Sequence, residues 1–249
     1  MVPKHHQPSA PRPAAPSPPK ASPAASPQAP VRLLITAGPT HEPIDQVRYL
    51  GNRSSGRLGI ALADHAVSRG WRTTLLLGPT PRTPSDSRVR VERFQTTADL
   101  QRLLTGHFPD CDCLVMAAAV ADYRPVPAHP DDAAPGGKLR RGEAALTLTL
   151  EPTPDLLAAC AASKRPDQTV VGFALEPRSR LIASATEKLA RKHLDFIVAN
   201  PLETMDSDSI EATLLCANGP SRLTPGTVSK DEFAPWLLAQ IEPGVLARR

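Results

Sequence analysis

The sequence predicts a three-layer α/β domain on a doubly wound, mostly parallel sheet, and three observations carry that prediction. Short β-rich apolar runs alternate with segments of 3.6-residue apolar periodicity from Val31 onward. Gly-Pro pairs close two of the runs, "RLLITAGP" and "TTLLLGP", marking strands that run into loops. The stretch "CDCLVMAAAVADY" is apolar throughout, as a central strand covered on both faces should be. Sheets of this kind bind ligands beyond the carboxyl ends of their strands, so functional residues are sought there.

The elements follow in order. "VRLLITAGPT" gives a strand from Val31 that ends near Ala37. "GRLGIALADHAVSRG" sets Leu58, Ala61, Leu62, His65 and Ala66 at helical spacing and stops at Gly70. "WRTTLLLGP" is the next strand, completing a β-loop-α-β unit whose parallel strands need a right-handed crossover. "VRVERF" (89–94) is a short strand, "TADLQRLLTGHF" a helix opened by Thr96 or Thr97, and "CDCLVMAAAVADY" the long central strand. Residues 124–145, rich in proline, glycine and charge, read as a long mobile loop, a flap. "LTLTL" (146–150) alternates as a strand, and "TPDLLAACAASK" starts a helix at Thr153 with Pro154 in its first position. "QTVVGFALE" and "DFIVAN" are strands on either side of the helix "RSRLIASATEKLARKHL". "EATLLCA" and a closing helix "KDEFAPWLLAQI" finish the domain, with no internal repeat.

Composition narrows the functional classes. At 249 residues and 41% hydrophobic, the chain can bury a sizeable core. Ten of its 29 prolines lie in residues 1–30, which hold almost no large apolar side chains. Ordering that arm would cost backbone entropy without burial in return, so 1–30 is expected to be a disordered Pro/Ala-rich arm and 31–249 the folded domain. Lys4, Arg12 and Lys20 give the arm +3 of the formal +4, leaving the body nearly neutral and unlike a nucleic-acid binder. No apolar run reaches the ~18 residues of a membrane span, and no signal-like stretch precedes the domain; a cytoplasmic protein is expected. Cys111, Cys113, Cys160 and Cys216 lack zinc-site spacing. Alternation sends Cys111 and Cys113 to one face of their strand, as small buried hydrophobes.

The loop before the first helix departs from the dinucleotide pattern. G-x-G-x-x-G must follow the first strand directly, so that pyrophosphate meets the helix N-terminus. Here "GPTHEPIDQVRYLGNRSS" separates the strand from Gly56, which argues against NAD or FAD. Two readings of Ser54 and Ser55 stay open: hydroxyls aimed with backbone N–H groups at an anion, or plain helix caps.

Six stretches in order carry a resemblance: "ITAGPTHEPIDQVRYLGNRSSGRLG", "AAAVADYRP", "GGKLRR", "TPDLL", "VVGFALE" and "EKLARKHLDFIVAN". From about Val31 to the last helix the chain resembles the phosphopantothenate–cysteine ligase family, and a stand-alone form, without the flavin-dependent decarboxylase that precedes it in many bacteria, is expected. The resemblance implies a Rossmann-like fold and a ligase of coenzyme A biosynthesis. It implies that 4′-phosphopantothenate is activated by CTP, with Mg2+, to an acyl-cytidylate and pyrophosphate, after which L-cysteine displaces CMP. It also implies a homodimer. Asn52 and Lys138 take the catalytic places, Asn52 at the acyl-nucleotide and Lys138 on the flap, where "KLRR" stands for the family's lysine-rich K-I-K-K. Ala117, Ala118, Asp122, Lys138, Thr153, Pro154, Asp155, Leu156, Phe173, Lys188 and Lys192 match nucleotide-contacting positions. Arg48, Asn52, Arg53, Ser54, Ser55, Gly56 and Gly59 form the substrate and phosphate set. No metal ligand is assigned.

Read without the resemblance, each has a structural alternative: Asn52 a left-handed turn, Asp122 a turn cap, Phe173 a core residue, Lys188 and Lys192 a solvated pair. Two other functional classes stay open, an NAD(P)-binding reductase-like protein and a non-catalytic regulatory protein of the same fold.

Overall fold

A computed structural model of the chain describes residues 29–126, 145–205 and 207–249. The predicted fold class is what it shows. The strands of the main sheet are β1 (Arg32–Ala37), β4 (Arg72–Leu77), β5 (Arg90–Arg93), β6 (Cys113–Met116), β9 (Thr169–Glu176), β10 (Phe196–Pro201), β12 (Thr213–Cys216) and β13 (Arg222–Leu223). Two-stranded ribbons join β2 (His41–Pro43) to β3 (Tyr49–Gly51), β7 (Tyr123–Pro125) to β8 (Leu150–Pro152), and β11 (Ser209–Ile210) to β14 (Val228–Ser229). The helices are α1 (Arg57–Ser68), α2 (Thr97–His107), α3 (Leu156–Ser163), α4 (Leu181–Arg191) and α5 (Lys230–Leu246).

The sheet order is β13-β12-β10-β9-β6-β1-β4-β5, parallel from β10 to β5, with β12 and β13 antiparallel at one edge. From β1 the chain builds outward to β4 and β5, then returns to lay β6 on the other side of β1. The order therefore reverses between β1 and β6, and the crevice above that reversal is where such sheets bind ligands. α1 and α5 cover one face through Leu62, Ala63, Phe233, Leu237 and Ile241. α2, α3 and α4 cover the other through Leu100, Leu104, Leu156, Ala185 and Leu189. Each such large side chain, fully buried, stabilises the fold by about 1.5–3 kcal/mol.

Several expected boundaries move, each for a local reason. The central strand stops at Met116: past it the backbone of 117–122 bonds instead to the loop after β1, with Thr40 N donating to Ala119 O (3.1 Å) and Ala119 N to Gly38 O (2.9 Å). Cys111 and Cys113 are both buried but on opposite faces, because Cys111 still belongs to the exit of a 3-10 turn, Phe108–Asp110, and not to the strand. Burial pushes the Cys111 thiol up to about 12 and that of Cys160 up to about 11, so both act as small hydrophobes. Of "LTLTL" only Leu150 enters a strand, and Arg124 and Pro125, placed in the flap by the sequence, pair in β7. α3 begins at Leu156, not Thr153: Thr153 is tied by its amide to Asp122 O, and Asp155 caps the helix by accepting from Ala158 N. α4 is trimmed at both ends, to 181–191. α5 continues past Ile241 to Leu246 because its buried face, ending in Val245, outweighs the backbone donor lost at Pro243. Thr96, not Thr97, caps α2, in a box with Asp99. Among the described residues no helix is long and apolar enough to cross a membrane.

Candidate functional site

Two cavities open above the β1/β6 reversal, one toward each helical layer. The first, of about 240 Å³, lies at the N-terminus of α1 and is lined by Arg53, Ser54, Ser55, Gly56, Gly59, Ala117, Ala118 and Phe173, together with Arg57, Asn200 and Lys230. The second, of about 250 Å³, lies at the N-terminus of α3 and is lined by Ala118, Asp122, Thr153, Pro154, Asp155, Leu156, Phe173 and Lys192. Ala118 and Phe173 belong to both, so the loop after β6 and the end of β9 form a common wall. The pair together reaches the size of ordinary small-molecule sites, about 300–1,000 Å³.

The first cavity is built by two glycines. Gly56 caps α1 at φ 70°, a left-handed conformation that no side chain need support, and no side-chain cap bond is made there. The serines therefore do not cap the helix. Ser55 Oγ accepts only a long bond from Arg57 N (3.4 Å), and the Ser55 carbonyl accepts from Thr80 Oγ1 (3.0 Å). A Cβ at Gly59 would stand 2.4 Å from the Ala37 Cβ, so only glycine lets α1 lie this close to β1. The first-turn amides of α1, which have no intrahelical partner, thereby face the cavity with the positive end of the helix dipole. Arg53 has no ion-pair partner among the described residues, whereas Arg57 is held by Asp208 and Asp231.

In the second cavity Lys192, at the end of α4, pairs with Asp155 (2.7 Å). Burial alone would raise the Asp155 carboxyl, but bonds from Lys192 and the Ala158 amide outweigh it and hold the group below its ordinary value. The Asp122 carboxylate is exposed and has no side-chain partner among the described residues.

Three of the expected site residues lie elsewhere. Arg48 is folded onto Asp45, which receives its Nε (3.0 Å) and Nη2 (2.5 Å), and it lines neither cavity. Lys188 pairs with Glu176 (2.7 Å) and lines neither cavity, although Lys192 does; the helix ends between them, and one face does not carry both inward. Asn52 touches the wall and not a cavity: its Nδ2 donates to Val120 O at 2.9 Å. Lys138 lies outside the described residues, as does most of the flap.

Sequence reasoning missed Asn200, Arg57 and Lys230 at the first cavity. Asn200 carries the same signal as Asp122, a polar residue ending an apolar strand, and its Nδ2 donates to Thr204 Oγ1 (2.8 Å). Lys230 follows Ser229 in a capping box with Glu232, legible as S-x-x-E. Arg57 has no such signal.

Comparison with known proteins identifies the family of the chain. The chain is 42% identical over 172 residues to a cysteine/cysteine sulfinic acid decarboxylase of an unknown prokaryotic organism, covering 69% of this chain and 46% of that protein. It is 36% identical over 200 residues to the coenzyme A biosynthesis bifunctional protein CoaBC of Mycobacterium tuberculosis, covering 76% and 46%. It thus spans about half the length of these curated relatives. A crystal structure of the C-terminal domain of a coenzyme A biosynthesis bifunctional protein CoaBC superposes with a TM-score of 0.72 at 32% identity, covering 87% of this chain and 96% of that one. The family described as DNA/pantothenate metabolism flavoprotein C-terminal domain matches residues 29–244, and the chain belongs to it.

Proposed function

We propose that the chain is a ligase of coenzyme A biosynthesis that joins 4′-phosphopantothenate to L-cysteine, using CTP. The observation that carries this reading is the common wall: a phosphate-seeking cavity at α1 and a second cavity carrying Asp122 and Lys192 meet at Ala118 and Phe173. A carboxylate oxygen of phosphopantothenate attacks the α-phosphorus of CTP and pyrophosphate departs. The cysteine amine then attacks the acyl carbon, CMP leaves with the bonding pair, and the nitrogen loses a proton. The substrate brings the nucleophile, so the chain has only to bind, align and stabilise charge. The amides and cations at α1 suit a phosphate, and Phe173 suits a flat base. Among the described residues no three His, Cys, Asp or Glu side chains gather into a metal group. Mg2+ is therefore proposed only as the triphosphate's counter-ion, and no side chain is assigned to it.

Pyrophosphate release from each nucleoside triphosphate with 4′-phosphopantothenate, with and without cysteine, tests the reading. CTP should be preferred, and amide should form only when cysteine is present. Carbon dioxide release from cysteine sulfinic acid with no pyrophosphate would overturn it in favour of the activity that names the 42% identical relative. A homodimer in the cytoplasm is part of the proposal: Val47, Tyr49, Tyr123 and Leu150 are exposed apolar residues on the two ribbons above the sheet, with exposed Leu146 in the segment before β8. Sedimentation should give a dimer, and Tyr49→Ser with Tyr123→Ser should shift it toward monomer.

A further inference from the structure

The wall between the cavities cannot hold its own shape. Residues 117–121 read Ala-Ala-Ala-Val-Ala, without one polar side chain. Groups from elsewhere fix it: Ala118 N donates to Thr36 Oγ1 (3.1 Å), Asn52 Nδ2 to Val120 O (2.9 Å), Thr153 Oγ1 to Ala121 O (2.5 Å) and Ala121 N to Thr40 Oγ1 (2.9 Å).

Thr40 differs from the others in what stands behind it. It is 0% exposed, lines neither cavity, and ends a buried polar chain that starts at Glu42, itself 3% exposed. Glu42 Oε1 accepts from both Thr97 N (2.8 Å) and Thr97 Oγ1 (2.7 Å), at the N-terminus of α2, where a carboxylate is favoured. The Thr97 hydroxyl also donates, at 3.5 Å, to Thr40 Oγ1, so its one hydrogen is shared between Glu42 and Thr40. Thr40 Oγ1 accepts from Ala121 N as well, and the buried contacts thus link Glu42, Thr97 and Thr40 to one amide of the wall.

We propose that Thr40, oriented by Glu42 through Thr97, is a positioning residue that sets the wall between the two ligands and so aligns the activated acyl group with the incoming amine. The proposal rests on the ligase reading above. Thr40→Val keeps the shape and removes the hydroxyl, orphaning the Ala121 amide. It should lower kcat for amide formation by about tenfold or more while KM for the nucleotide moves less than about threefold, and Thr40→Ser should restore kcat. Hydrogen exchange of the 118–122 amides should quicken about tenfold in Thr40→Val, with β1 and β6 unchanged. Glu42→Gln should give the same pattern at smaller amplitude; if it behaves as wild type, Glu42 has no orienting role. Wild-type kcat in Thr40→Val, or loss in Thr40→Ser equal to that in Thr40→Val, overturns the proposal. If the wild-type chain shows no ligase turnover, the function reading has failed by itself. The exchange arm still decides the positioning claim, which falls if Thr40→Val leaves the wall amides as slow as before.

Discussion

The two ends of the sheet treat charge in opposite ways. At the amino ends of the strands, Asp112 accepts from Arg32 N (2.8 Å), Nε (3.1 Å) and Nη2 (2.6 Å), with Arg249 at 3.5 Å. Beside it Asp195 accepts from Lys164 (2.9 Å), Arg248 (2.7 Å) and Val170 N (2.7 Å). At the carboxyl ends, Arg53, Asp122 and the first-turn amides of α1 have no comparable partner among the described residues. The lower edge is closed by the chain itself, whereas the upper edge sets closed pairs, Arg57 with Asp208 and Asp231 and Lys192 with Asp155, beside groups that the described residues leave open. Stability and binding should therefore separate along the strand axis.

The largest effect should come from Asp195→Ala. Asp195 is 6% exposed, and its loss leaves the Val170 amide and two cations facing a buried gap. Breaking a buried network of this kind costs about 3–5 kcal/mol. Urea unfolding should show that loss, while KM values of the protein that remains folded should stay as in wild type. A variant of full stability and lost activity would break the comparison.

Gly59→Ala crosses the divide, because the residue packs α1 on β1 and also lines the upper cavity. Overpacking against Ala37 should cost about 1–3 kcal/mol, and displacement of the α1 terminus should raise KM for the phosphate-bearing substrate. Both readouts should move together here and at no lower-edge position.

Much of this was legible in the sequence, and the misses have a common cause. Periodicity and Gly-Pro stops placed β1, α1, β4 and α2, since those depend on which face is buried. The central strand was read too long because Ala117–Ala121 is apolar for another reason: these side chains make the wall between the two cavities. Helical spacing put Lys188 and Lys192 together, but spacing says nothing of where the helix stops, and Lys192 is already the cap of α4. Arg48 looked like a free cation because its partner, Asp45, three residues earlier, is brought to it by a turn. The lower-edge clusters escaped notice altogether, since Asp112 meets Arg32 across 80 residues of sequence.

Acid should sharpen the contrast at the lower edge. Burial would raise the Asp112 carboxyl, but bonds and charge from Arg32, with Arg249 adding to them, outweigh it and hold the group below its ordinary 3.8. A carboxyl depressed in the folded state contributes stability above its unfolded value, and that contribution is lost as pH falls through the folded one. The stability gap between wild type and Asp112→Asn should thus be level from about pH 5 to 8 and close below about pH 4. Urea midpoints across that range check it, and a gap that widens on acidification would count against the ion-pair account.

The smallest stability effects, and the most discriminating, should come from the two lysines of α4. Lys188 pairs with Glu176 at a partly exposed site, and such pairs contribute about 0.2–1 kcal/mol, so Lys188→Gln should barely move the unfolding midpoint. It should also leave KM for the nucleotide unchanged, because the side chain lines neither cavity. Lys192→Gln removes a cation from the second cavity and frees the Asp155 carboxylate to repel a phosphate there. KM for CTP should rise about tenfold or more, with stability as little changed as in Lys188→Gln. Equal rises in KM for the two variants would place Lys188 at the ligand after all, which requires its pair with Glu176 to open when nucleotide binds.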